Sequence, residues 1–255
     1  MNTLDRRACM KALLGSVAVA AANPALAALP KDEPQASHAG PAEFWKRVDA
    51  VQARDLVESA IHAARAQVKS RRAINASKRA AILLGGDAGE EFRKQAEAHH
   101  QTRTAALQKT KQALSGFVKR RGSAGESRYA EFVRAGHLEE ATKHAREQTI
   151  RAILHSDASP AEAQTALKAL DERLDKIGGL KSFADLTAYL DQHLDELIGR
   201  KLSDEQEDQN GLCVLILIIT SVFAVLVVIA VLICVFTLGL GCQGILNQLL
   251  DQACP

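Results

Sequence analysis

Along most of the chain apolar residues recur at intervals of three and four among polar ones; near the end the polar ones disappear. From Leu212 to Leu238 the residues read LCVLILIITSVFAVLVVIAVLICVFTL, 27 positions without a charge, against the ~20 that cross a hydrocarbon core of ~30 Å. In lipid only a helix or a closed barrel satisfies the backbone, and one segment cannot close a barrel, so the run predicts a single transmembrane helix over 212–238. At 1.5 Å per residue that helix is ~40 Å long, so it should tilt, extend into the headgroups, or break near Gly239-Leu240-Gly241. A buried core helix or strand pair is the competing interpretation of the same run. After it, residues 239–255 form a short tail in which Ile245, Leu246, Leu249 and Leu250 are spaced for an interfacial helix.

Upstream, residues 42–202 are rich in Ala, Leu, Glu, Lys, Arg and Gln and show no alternating β-branched runs, which predicts helix throughout. Phe44, Val48 and Val51, then Val57, Ile61, Ala64 and Val68 share a stripe, and an amphipathic piece from Arg72 to Leu84 ends at Gly85-Gly86. A long helix from about Ala88 to Arg121 carries Phe92, Ala96, His99, Ala106, Thr110, Leu114 and Phe117 on one face. Gly122-Ser123-Ala124-Gly125 is expected to break it, with helix resuming from Glu126 to His155. Ser159-Pro160-Ala161-Glu162 has the form of a capping box with Pro at the first helical position. The helix it opens places Ala163, Leu167, Leu170, Leu174 and Ile177 inward, and another from Ser182 does the same with Phe183, Leu186, Leu190, Leu194 and Leu197. Short connections between five or six helices predict an all-α antiparallel bundle or array, followed by the C-terminal span.

Composition changes the picture only when it is divided by segment. All 32 Lys and Arg lie at or before Lys201, and no charged residue occurs between Gln209 and Leu250. The opening MNTLDRRACMKALLGSVAVAAANPALAALP has a basic start (Arg6, Arg7, Lys11), an apolar stretch, and Ala25-Leu26-Ala27 before Ala28, the order of a secretory signal cleaved after residue 27. Asp5-Arg6-Arg7-Ala8-Cys9-Met10-Lys11 resembles the twin-arginine export signal, departing from it at Asp5 and in part at Cys9. Loss of residues 1–27 removes three basic residues and one acidic, leaving 29 of each. A linker follows at 28–41, and an acidic one at 203–211 separates the helical domain from the run. A balance this even excludes a nucleic-acid binder and leaves a lipid bilayer, and a protein partner or second copy, as the expected partners.

Catalytic signatures are missing. There is no Gly-x-Ser-x-Gly, no Ser-x-x-Lys, no paired Cys and His, and Gly85-Gly86-Asp87-Ala88-Gly89 lacks the lysine of a phosphate loop. Glu97 and His100 have the Glu-x-x-His spacing of a di-metal bundle once, and His137, Glu140, His144 and Glu147 share one side of a helix. Solvated polar faces account for both groups, so no cofactor is expected and these residues stand as weak metal candidates. No small-molecule substrate is identifiable.

Once the signal has taken Cys9, the remaining cysteines are Cys213, Cys234, Cys242 and Cys254. Their spacing contains no Cys-x-x-Cys, so metal binding has little support, and they can either stay thiols or pair as disulfides in an oxidising compartment. A pairing of Cys213 with Cys242 would require the run to fold back. Two functions follow. The first is an exported, non-enzymatic scaffold or binding protein, held by a single pass at the outer face of the cytoplasmic membrane. The second is a precursor whose helical domain accompanies a secreted, Cys-framed, membrane-active peptide spanning about 211–255. In organisation this second layout resembles some exported bacteriocin precursors. A metal-binding bundle is a third alternative.

Overall fold

The computed structural model describes residues 41–204, 213–239 and 242–254. The expected signal residues Arg6, Arg7, Lys11, Ala25 and Ala27 lie outside the described residues, as does most of the acidic linker. Every regular element among the described residues is helical: α1 Pro41–Val51, α2 Arg54–Leu84, α3 Gly86–Arg134, α4 His137–Leu154, α5 Pro160–Gly178, α6 Phe183–Gly199, a 3₁₀ turn Leu202–Asp204, α7 Cys213–Ile219, α8 Val222–Phe236 and α9 Cys242–Ala253.

Helices α2 and α3 form an antiparallel hairpin joined by Gly85, whose φ of 101° is open to glycine at little cost. Where a break is expected after Arg121, α3 instead runs unbroken through Gly122 and Gly125 for 49 residues. The reason is tertiary. A Cβ at Gly125 would lie 2.4 Å from the ring of Phe183, so this glycine admits α6 to close approach. Two further contacts fix that approach: the Glu126 carboxylate accepts from the backbone amides of Phe183 (3.1 Å) and Ala184 (2.8 Å), and Tyr129 donates to the Leu180 carbonyl at 2.9 Å. A carboxylate at a helix N-terminus satisfies orphaned amides and opposes the positive end of the helix dipole.

The capping box at Ser159 is formed, with the Ser159 amide donating to Glu162 Oε2 at 2.6 Å and its hydroxyl accepting from the Glu162 amide at 3.4 Å. Of the predicted faces, Phe183, Leu186, Leu190, Leu194 and Leu197 of α6 are all buried, while Phe92 at the start of α3 stays 37% exposed. Arg72 to Leu84 does not form a separate piece but continues α2.

The uncharged run does not form one helix. It divides at Thr220-Ser221 into α7 and α8, which meet at a bend of 93°, and no single helix among the described residues is long and apolar enough to cross a membrane. Both halves, and the inner face of α9, are buried inside the bundle. All 15 residues of α8 are buried, and among the described residues α8 touches each of the other eight helices. This wholly apolar helix is therefore the element on which the amphipathic helices assemble, each turning its apolar stripe inward as burial of apolar surface favours.

Candidate functional site

The terminal segment, α7 to α9, has one charged side chain, Asp251. Wherever its helices end, carbonyl groups lose their intrahelical partners and need donors from elsewhere. The surrounding helices supply them. At the bend, Ser221 sits in the left-handed region (φ 68°), where it cannot continue α7. Arg173 of α5 donates to its hydroxyl, and Nε2 of His193 of α6 donates to its carbonyl oxygen at 3.1 Å. At the C-terminal end of α8, Arg128 of α3 donates to the Phe236 carbonyl at 3.2 Å. At the end of α9, Arg65 of α2 donates to the Gln252 carbonyl at 2.5 Å. In the last two cases a cation also meets the negative end of a helix dipole.

Aromatic packing reinforces the middle contact. The ring of Phe236 meets Phe117 (5.5 Å) and Phe183 (5.9 Å) edge-on, and the guanidinium groups of Arg121 and Arg128 each lie 5.6 Å from its centroid. At the bend, Thr220 bonds back from its hydroxyl to the Ile216 carbonyl at 2.7 Å, a contact that bends helices in the absence of glycine or proline. Arg173 and His193 line a cleft of about 450 Å³ with Tyr189, Glu196 and Ser221. Burial is the main influence on the titration of both side chains there: it pushes the Arg173 guanidinium and the His193 imidazole below their ordinary pKa values. The Ser221 hydroxyl is engaged by Arg173, and His193 faces the carbonyl rather than the hydroxyl, so the three do not form a nucleophile and its base.

The four tail cysteines are joined in two disulfides, Cys213 to Cys254 and Cys234 to Cys242, with Cα separations of 5.6 and 5.3 Å. The turn that allows the second bond uses Gly239 at φ 76°, whose amide donates to the Cys234 carbonyl at 3.0 Å. Both bonds lie wholly within residues 213–254, so no covalent link other than the main chain joins the segment to the helices around it.

The metal candidates stay apart. Glu97 and His100 lie on α3, His137, Glu140, His144 and Glu147 on α4, and among the described residues no group of three or more His, Cys, Asp or Glu is placed to hold a metal ion. His137 instead packs against Gly239, where an added Cβ would come within 2.9 Å of its ring, and its Nδ1 is 3.4 Å from the Glu140 carboxylate. The side chains that do hold the segment, Arg65, Arg128, Arg173 and His193, occur on polar helix faces and are indistinguishable in sequence from solvated charges. The available signal was indirect: a charge-free segment that folds must borrow donors from outside itself. Compared with family models, curated proteins and solved structures, the chain matches none.

Proposed function

We propose that this chain is an exported carrier of its own membrane-active terminal segment. Helices α1 to α6 are the sheath, residues 211–255 are the cargo, and the acidic linker at 203–211 is the point of separation. The observation that carries this reading is that α8, uncharged throughout, touches all eight other helices among the described residues and exposes no side chain. A helix serving only as an anchor has no need of such a covering, whereas an apolar segment that must cross water does. Closure of both disulfides inside the cargo supports it further, since cutting the linker leaves two pieces held together by non-covalent contacts alone. An anchored envelope scaffold is the second reading. What favours it is that α7 and α8 together have the length and composition of a span if their bend were opened.

The test places a specific protease site in the linker of the full chain and follows both pieces by flotation with vesicles of phosphatidylglycerol and phosphatidylcholine, in oxidising and reducing buffer. The carrier reading expects intact chain to stay in solution and, after cleavage, the terminal segment alone to float. Floating of the uncleaved chain supports the anchored scaffold, and failure of the cleaved segment to float in either buffer overturns the carrier reading.

A further inference from the structure

We infer that the two disulfides act together as a lock that keeps the apolar segment bent, and that opening either one lets α7 and α8 straighten into a span. The inference deepens the carrier reading by naming what regulates the cargo. Its geometry comes from ring closure. Cys213, the Cys213–Cys254 bond, α9, the Cys242–Cys234 bond and the chain back through α8 and α7 form one covalent ring. On a straight helix the Cα atoms of Cys213 and Cys234 would be ~31 Å apart. The other side of the ring must bridge that distance. It consists of the 12 steps from Cys242 to Cys254, ~18 Å if helical, and two disulfides whose Cα separations are 5.6 and 5.3 Å. Laid end to end these reach ~29 Å, and because packed helices keep their axes at least ~8 Å apart the disulfides must run partly sideways, leaving ~26 Å.

The ring is therefore ~5 Å too short for a straight helix. It could close only by unwinding α9, which in an apolar medium leaves backbone amides without partners. The 93° bend solves this, bringing Cys213 to ~23 Å from Cys234. Either bond alone imposes no such limit. With only Cys213–Cys254 closed, the eight residues from Cys234 to Cys242 can extend to ~27 Å and take up the slack. With only Cys234–Cys242 closed, Cys213 is free of the ring. Once straight, the 24 residues of 213–236 measure ~36 Å, enough to cross a hydrocarbon core of ~30 Å.

The state of the lock follows the compartment, because a reducing cytosol holds cysteines as thiols and an oxidising exterior pairs them. Opening is a thiol–disulfide exchange with a dithiol. A thiolate of the reductant attacks one sulfur, the second protein sulfur leaves as thiolate and takes a proton, and the reductant's other thiolate resolves the mixed disulfide. The products are two protein thiols and an oxidised reductant. Cys242 and Cys254, half-buried, are the more exposed residues of each pair; Cys234 is fully buried and Cys213 nearly so.

The lock is tested on the full chain in dodecylphosphocholine micelles, so that it is read whether or not vesicles take up the cargo. Spin labels attached through ketone-bearing residues at positions 214 and 235 report the distance along α7 and α8, and intact mass reports the bonds. In the oxidised chain the distance should correspond to the bent form, ~24 Å between backbones, and dithiothreitol should lengthen it by ~7 Å. The paired variants Cys213→Ser with Cys254→Ser, and Cys234→Ser with Cys242→Ser, should each show the long distance without reductant. A long distance in chain whose mass retains both disulfides overturns the inference, as does a short one after full reduction. Failure of flotation leaves these distances readable, so the two readings fail separately.

Discussion

Nε2 of His193 donates to the carbonyl oxygen of Ser221 across 3.1 Å, joining α6 to the bend of the apolar segment. The imidazole is held mainly neutral by burial, which outweighs the raising effects of the Ser221 carbonyl and the Glu196 carboxylate, and Arg173 adds a repelling positive charge. A depressed folded-state value means that the unfolded chain binds a proton here more tightly than the folded one. Stability is then fully present above the unfolded value near 6.5 and declines as pH falls below it. The melting temperature of the oxidised chain should fall between about pH 7.5 and about pH 5.5, and His193→Gln should flatten that dependence. An equal slope in wild type and variant would assign the pH dependence elsewhere.

Gly122 and Gly125 lie one turn apart in α3 and should respond to alanine in opposite ways. Alanine is favoured over glycine in a helix by ~1 kcal/mol. At Gly122 the added Cβ meets only Val118 Cγ1 at 3.7 Å, an ordinary contact, so Gly122→Ala should stabilise by about 0.5 to 1 kcal/mol. At Gly125 the new carbon would lie 2.4 to 2.7 Å from three atoms of the buried Phe183 ring. That overlap forces α6 away, and Gly125→Ala should cost about 1 to 3 kcal/mol despite the propensity gain. Urea unfolding midpoints of the two variants decide the matter; equal stabilisation would mean that α6 yields freely.

The same pair shows where sequence reading succeeds and where it stops. Local signals were sufficient for the box at Ser159 and Glu162 and for the leucine face of α6, because capping chemistry and helical spacing are properties of neighbouring residues. They misplaced the break at Gly122 to Gly125, because a glycine that admits an approaching helix looks the same in sequence as one that ends its own. The bend at Thr220-Ser221 was missed for a related reason. It contains no glycine or proline, and the side chains that meet it, Arg173 and His193, come from other helices. Arg65, Arg128, Arg173 and His193 were invisible as a set because their common target, the carbonyl-rich ends of an uncharged segment, exists only after folding.

Arg103 of α3 is 1% exposed, with Nη1 donating to Gln67 Oε1 at 2.7 Å and Nη2 to the Leu197 carbonyl at 3.2 Å. It ties the α2–α3 hairpin to the last turn of α6 through amide and carbonyl acceptors. Truncation in Arg103→Ala leaves a large void and removes donors from buried acceptors, and should cost about 3 to 5 kcal/mol. Arg103→Met fills most of the volume and should recover part of that loss, because a buried charge is itself costly to desolvate. Denaturant unfolding of the two variants is the check, and a methionine variant no more stable than the alanine one would show that the lost guanidinium bonds, not the void, set the cost.

Tyr129, buried with its hydroxyl on the Leu180 carbonyl, has its pKa pushed up to about 12 by burial and by the nearby carboxylates of Asp185 and Glu126. The only other tyrosine, Tyr189, is also raised, chiefly by burial. Here the folded chain holds its proton more tightly than the unfolded one, so the stabilisation is complete below the ordinary value of 10 and is lost as pH rises from there toward 12. Tyrosinate absorbance of the folded chain should therefore stay flat through about pH 10 and rise together with loss of helical circular dichroism. Tyr129→Phe should cost about 0.5 to 1.5 kcal/mol near neutral pH by freeing the Leu180 carbonyl, and should remove part of the alkaline loss. Ionisation of both tyrosines near pH 10 with the helical signal intact would place the two hydroxyl groups in water, contrary to the packing of α3 and α6 described above.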